Sequence, residues 1–344
     1  MSVEFLALPP ERRDELSAFL RRVFRFKETP ANLSPQAMQW KYFDPHPWWR
    51  NGRSYILQAN GSIIAHGCVA PVRFLRGNNV LESMVIVDWA SGTQVPGSGL
   101  ALYRKCMEVG AASLLAVGGS IDTLTLLPKV RWFTPKSELR WYARPLRPVA
   151  RFINSGRNTR DFLKMGRNLL WTRWPTLPAP GSWSCRPGGA DDPVFNPTGD
   201  YVPIVRTREW INYLMACPTA KSKRWILDRE GEPQGHALVC NLNGSGRIAD
   251  FALAGSQSQD EITLAFSALV RALCGEPELI EIVAATSLLK ETRAFERCGL
   301  RYRDSAPVLL ADPRQEFPSK AHLEIKPILG DGFYLQAPSA PFRL

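Results

Sequence analysis

A glutamine and two glycines, spaced as Gln94-x-x-Gly97-x-Gly99, follow the apolar run Val85-Ile86-Val87 and precede an amphipathic stretch from Leu100 to Glu108. A strand feeding a glycine-bearing loop that opens a helix can turn several backbone N–H groups toward one point, and the helix start adds partial positive charge. The chemistry this suits is the holding of a phosphate. Small residues at Gly97, Ser98 and Gly99 let an anion approach the backbone closely. Neither G-x-G-x-x-G nor G-x-x-x-x-G-K-[ST] is present, so the turn carries neither a dinucleotide nor a P-loop fingerprint.

The elements that must position this turn occur twice. Ile56-Leu57-Gln58-Ala59-Asn60-Gly61 and Ile226-Leu227-Asp228-Arg229-Glu230-Gly231 are short apolar strands ending in a turn glycine, and the register continues to His66 and His236, and to Val69 and Val239. Upstream lie Trp40 to Pro45 and Trp210 to Pro218. Downstream, Val87-Asp88-Trp89-Ala90 matches Ala249-Asp250-Phe251-Ala252, and each copy continues through a loop, a helix, a strand (Leu114 to Val117; Leu279 to Ala284) and a further helix. The pattern predicts an α/β fold of the α+β kind, two tandem modules each built on a mixed sheet. The first module spans 1–145 and the second 188–344. Between them, 146–187 reads as a basic linker rich in tryptophan and proline, with a helix from Pro148 to Trp171 whose residues Val149, Phe152, Ile153, Phe162, Met165, Leu169 and Leu170 sit at helical spacing.

Two modules agree with 344 residues, and 45% apolar with 22% charged residues is ordinary for a folded protein. The N-terminal segment lacks a signal-peptide pattern, and no run of about 18 apolar residues occurs, so export and membrane spanning are not expected. Seven scattered cysteines without a C-x-x-C pair and four dispersed histidines predict neither disulfides nor a metal site. A reducing, cytoplasmic compartment is expected. The net charge of +11 attracts coenzyme phosphates, nucleic acid and anionic lipid alike.

The loop and the order of elements around it resemble the GNAT superfamily of acyl-CoA N-acyltransferases, whose signature [QR]-x-x-G-x-[GA] is met by Gln94, Gly97 and Gly99. The likeness covers nearly the whole chain in element order and matches a specific motif only at this loop. It implies that Gln94, Val95, Gly97, Ser98 and Gly99 hold the pyrophosphate of acetyl-CoA or another acyl-CoA. It also implies that the backbone at Trp89 binds the pantetheine arm and polarises the thioester carbonyl. Pro96 departs from it by supplying no N–H. In the second copy the corresponding loop, Gly255 to Ile262, lacks the second glycine and carries Asp260 and Glu261, so no coenzyme is expected there.

The implied reaction is direct transfer of an acetyl or other acyl group to an amine, with a small amine or amino sugar as acceptor and no covalent enzyme intermediate. A tyrosine acid, frequent in the family after the fifth strand, is missing from Ser120 to Pro128. Tyr103 reads as packing. Asp88 and Glu82, of equal strand parity, are the candidate bases, although Asp88 recurs as Asp250 and His66 as His236, which favours structural roles. Trp48, Trp49, Trp132 and Trp141 are candidates for a pocket wall or for packing. Two alternatives remain open: a Fem-type transferase using aminoacyl-tRNA, and a non-catalytic scaffold docking through the basic linker. Metal and nucleic acid are not expected as partners, whereas the linker helix leaves a membrane surface open.

Overall fold

The computed structural model describes residues 3–109, 113–130, 132–153, 159–173, 176–189, 191–318, 322–330 and 332–334. The first half runs β1 (Val3–Ala7), α1 (Arg13–Val23), α2 (Pro35–Met38), β2 (Ser54–Ala59), β3 (Ser62–Arg76), β4 (Asn79–Ser91), α3 (Ser98–Glu108), β5 (Ser113–Val117), α4 (Ile121–Leu126) and β6 (Glu138–Pro145). Next come α5 (Pro148–Ile153) and α6 (Thr159–Arg173). The second half follows as β7 (Trp183–Pro187), α7 (Arg208–Met215), β8 (Lys221–Arg229), β9 (Glu232–Leu242), β10 (Ser245–Leu253), α8 (Gln259–Gly275), β11 (Glu281–Thr286), α9 (Leu289–Arg297) and β12 (Arg301–Ala311). Where the linker spacing predicts one helix, the structure thus has two, with 154–158 outside the described residues.

Local sequence explains much of this. In α1, Leu16, Phe19 and Leu20 fall at helical spacing and are buried, each worth about 1.5–3 kcal/mol relative to exposure. The β2–β3 and β8–β9 hairpins turn through Asn60-Gly61 and Glu230-Gly231, all four residues at positive φ, the geometry that matches strand twist in a two-residue hairpin. Ile56 pairs with His66 and Ile226 with His236, and each hairpin shifts register at the next equivalent step, Leu57/Gln58 and Leu227/Asp228. The sequence repeat is therefore a repeat of register.

All twelve strands form one sheet, ordered β1-β2-β3-β4-β5-β12-β6-β11-β10-β9-β8-β7. The halves exchange their last strands: β12 pairs antiparallel with β5, while β6 lies between β12 and β11. An apolar core runs across the join, including Trp40, Trp141, Ile211, Val283 and Phe333. No helix of the described residues is long and apolar enough to cross a membrane.

Candidate functional site

β4 and β5 pair in parallel only from Ser83↔Ser113 to Val85↔Leu115. Beyond that point they part, while β5 stays paired along its other edge with β12 through Leu310↔Leu115 and Val308↔Val117. The gap is a cavity of about 380 Å³. Val85, Ile86 and Val87 line one side and Val117 and Gly118 the other; the exchanged strands β6 and β12 add Trp141, Asp304 and Ser305, and the segment after β12 adds Lys326. A narrow slot between splayed parallel strands admits an extended chain and offers it strand-edge backbone groups.

β4 carries a bulge beside this slot. His66 pairs with Ala90 and Cys68 with Val87, so Asp88 and Trp89 together face the single residue Gly67. Asp88 adopts φ 51°, a left-handed conformation that Asp tolerates better than most residues. Its carbonyl accepts a hydrogen bond from His66 Nδ1 at 3.0 Å, and Ser54 Oγ lies 2.8 Å from His66 Nε2. Burial holds the imidazole at about 4 and hence neutral. Because a trans peptide points its C=O and N–H in opposite directions, the Trp89 N–H is turned away from His66. The Trp89 indole donates to the Gly99 carbonyl at 3.1 Å, tying the bulge to the start of α3.

That start is open. Gly97 sits at φ 80° as the N-cap of α3, no side chain caps the helix, and a Cβ at Gly97 would meet nothing within 4 Å. At Gly99, by contrast, a Cβ would come within 3.0 Å of Ser91 Oγ. Ser98 is buried, and its Oγ makes no hydrogen bond. The Ser98 N–H turns back to the Val95 carbonyl at 3.2 Å, and the absence of a side-chain cap on the helix start, with free space at Gly97, fits a phosphate group. Gln94 is exposed and Val95 half-buried in the loop just before.

The second half is closed at the equivalent place. Ser258 caps α8 and Glu261 returns the bond in a capping box. Glu261 also pairs with Arg229 at 2.6 Å and Asp260 with Arg297 at 2.7 Å. The helix start thus already has its acceptors.

The structure separates the two candidate bases. Asp88 lies in a buried cluster, 2.5 Å from Lys41 Nζ and accepting from Tyr42 Oη at 2.8 Å. Burial alone would raise its carboxyl, but Lys41, with help from His66 and Tyr42, holds it below the usual carboxylate range. Asp250 has the same buried place in the second half, gripped by Arg206 through bonds of 2.7 and 2.8 Å. Glu82 is exposed and paired with Arg73 at 2.7 Å. The parity argument linking Asp88 to Glu82 ends at the bulge: pairing is regular from Glu82↔Arg73 to Val87↔Cys68, and Asp88 is itself a bulge residue at positive φ.

Among the aromatics, Trp141 lines the cavity. Trp48 stacks on Trp210, and Trp132 packs beside the buried Tyr103. Trp49 donates to the Gly52 carbonyl. Burial pushes the Tyr103 hydroxyl up to about 12, in keeping with packing. Two cavity residues that the sequence did not single out are Asp304 and Lys326. Asp304 is the carboxylate among the cavity's described lining residues, and it sits at a register shift in β12. Each reaches the cleft from the far end of the chain, so no local pattern marks it.

A bulged β4, a β5 that splays from it, an uncapped helix between them and a second copy of the same order together define the fold of GCN5-related N-acyltransferases in its tandem form. Solved structures agree. A GCN5-related N-acetyltransferase from Anabaena variabilis matches with TM-score 0.58 at 9% identity, over 90% of this chain and 73% of that one. A tandem GNAT protein from the clavulanic acid biosynthesis pathway matches with TM-score 0.57 at 12% identity, over 90% of this chain and 98% of that one. The Saccharomyces cerevisiae N-myristoyltransferase, solved with bound myristoyl-CoA and inhibitors, matches with TM-score 0.60 at 12% identity, over 94% and 82%. No protein-family model matches the chain, and neither does any curated protein.

Proposed function

We propose that the chain is an acyl-CoA-dependent N-acyltransferase whose one coenzyme site lies in the first half. The observation that carries this reading is the asymmetry of the two helix starts: α3 is uncapped beside an orphaned Ser98 hydroxyl, while α8 caps itself. The loop from Gln94 to Gly99 would hold the pyrophosphate through the backbone of Val95, Gly97, Ser98 and Gly99, and the slot between β4 and β5 would take the pantetheine arm. When bound, the coenzyme supplies an activated acyl thioester. The Trp89 N–H, set by the bulge, is the donor for that carbonyl, fixed in place before reaction and so free of reorganisation cost. Asp304, at the cavity wall, is the group we assign to take the proton of a small amine or amino-sugar acceptor. Asp88 then serves to hold the bulge.

Calorimetric titration with acetyl-CoA tests the reading. A carboxylate about 5 Å from a phosphate opposes it by about 3 kcal/mol at an effective dielectric constant near 20, so Gly97→Glu should weaken binding by roughly 100-fold or more. Gly97→Ala, which carries the backbone strain without the charge, separates folding damage from repulsion. Undiminished binding in Gly97→Glu, or none by the native chain, would remove the proposal.

A specific observation favours one addition, contact with an anionic membrane surface. Helix α6 is anchored by buried Trp171, whose indole donates to the Gly299 carbonyl, while Phe162, Leu163 and Leu170 stand exposed. Lys164, Arg167 and Arg301 lie nearby in sequence or over Trp171, the pairing of apolar and basic groups that suits an anionic lipid interface. Co-sedimentation with phosphatidylglycerol vesicles should fall sharply in Leu170→Glu and with added salt. Equal sedimentation of native chain and variant would rule it out.

A further inference from the structure

The second half keeps a cleft where it has lost the phosphate turn. β10 and β11 pair only from Ser245↔Glu281 to Ile248↔Ala284 and then part. The space beyond is a cavity of about 260 Å³, with Phe251, Leu253 and Ile262 among its apolar walls and Glu291 and His322 among its polar ones.

Behind it stands a buried charge cluster whose signs do not cancel. Arg206 pairs with Asp250 at 2.7 Å and with Glu324 at 2.7 Å, and Lys326 lies 2.8 Å from Glu291 and 3.2 Å from Glu324. Three carboxylates thus meet two cations, all with side chains at most 9% exposed. His236, which touches Asp250, is kept neutral by burial and adds no charge. Lys326 gives its remaining donor to the Phe251 carbonyl.

Glu291 is the member that faces the cavity. Its Oε1 takes the bond from Lys326, and its Oε2, though buried, accepts none. Thr286 contributes a nearby hydroxyl to the carboxyl, but no described donor stands in hydrogen-bond geometry with Oε2. Burial pushes this carboxyl above its ordinary range, against the pull of Lys326. At the rim, the Lys290 ammonium is engaged by the Gln257 carbonyl, His322 Nε2 lies 3.1 Å from the Ser287 carbonyl, and Asp200 is exposed. A cavity of mixed apolar and polar lining, with Glu291 in its wall and one oxygen of that buried carboxylate lacking a donor, selects for one kind of ligand, because a buried anion is stabilised by a partner of opposite charge and penalised without one.

We infer that this cavity is a binding site for a protonated primary amine carried on a compact apolar body, the ammonium group pairing with the Glu291 carboxylate in its wall. The site is separate from the coenzyme turn and does not depend on it. A phosphate-bearing ligand is disfavoured there by the self-capped α8 and by the surplus negative charge.

The test uses the full chain and phenethylammonium as probe, with 2-phenylethanol as its neutral counterpart, both titrated by calorimetry up to about 10 mM. The amine should bind saturably and at least about tenfold more tightly than the alcohol. Glu291→Gln should abolish that preference while leaving alcohol binding as it was. Because removal of a buried charge can destabilise the fold, Thr198→Trp provides a second arm: it narrows the mouth from an exposed position and should weaken both probes. Acetyl-CoA titrations should be unchanged in Thr198→Trp, which lies away from the first-half cavity and from Lys326, so the two sites fail or stand separately. Equal affinity for amine and alcohol, an unchanged preference in Glu291→Gln, or no saturable binding would overturn the inference.

Discussion

Replacing Asp88 by asparagine removes a charge with little change of shape, and asparagine tolerates the φ of 51° that this position imposes. The substitution leaves the Lys41 ammonium, whose side chain is 5% exposed, with the Asn32 carbonyl at 3.2 Å and the face of Tyr42. Breaking a buried pair by neutralising one partner costs about 3–5 kcal/mol, most of it the burden of the stranded charge. Lys41→Met strands the carboxylate instead and should cost a similar amount. The double variant, with no charge to strand, should lie closer to the native chain than either single one, within about 1–2 kcal/mol. Urea unfolding followed by tryptophan fluorescence supplies the four stabilities. The pH dependence provides a second check. Because the native carboxyl is held below its unfolded value, the pair's contribution is complete above about pH 4 and is lost as pH falls through the native pKa. The gap between native chain and Asp88→Asn should therefore be full at neutral pH and close in acid. Single losses that simply add in the double variant, or a gap independent of pH, would refute the account of a charge pair holding the bulge.

Other outcomes follow from the same geometry. Ser258→Glu removes the cap of α8 at a cost of about 1 kcal/mol, yet acetyl-CoA affinity measured by calorimetry should not change; a loss matching that of Gly97→Glu would contradict a single coenzyme site. Asp304→Asn should lower kcat/KM for amine acylation by roughly 100-fold or more while acetyl-CoA still binds, and an undiminished rate would exclude Asp304 as the base. His66 is held at about 4 by burial against about 6.5 unfolded, so its contribution is present above that value and lost as pH falls toward 4. The loss amounts to about 3 kcal/mol, and His66→Gln should flatten that part of the stability profile in chemical denaturation.

What could be read from the chain was whatever repeats or is local. The 170-residue offset between Ile56 and Ile226 reappears as identical strand register, because turn chemistry at Asn60-Gly61 and Glu230-Gly231 fixes pairing within a few residues. The loop from Gln94 to Gly99 was legible because small residues before a helix have few other uses. The exchange of β6 and β12 was not. Strand periodicity tells which face of a strand is buried and says nothing about its neighbour, which is chosen by contacts across most of the chain. Short edge strands such as β1 and β7 carry too few residues to show a period. The bulge at Asp88 was hidden for a different reason: nothing in Val87-Asp88-Trp89 announces an inserted residue, and the parity argument joining Asp88 to Glu82 fails there. Asp304 and Trp141 reach the cleft only through the exchange, and Lys326 through the segment that follows it.

The crossing of the final strands also sets a timetable for synthesis. Val117 and its partner Val308 are separated by most of the polypeptide, so at about 5–20 residues per second the emerging N-terminal half must wait on the order of ten seconds or more for the strand that completes it. Throughout that interval β5 presents an unprotected hydrogen-bonding margin, the kind of surface on which chaperones and aggregation compete. For the same reason a stop codon placed between the repeats should yield an insoluble fragment, not half a protein.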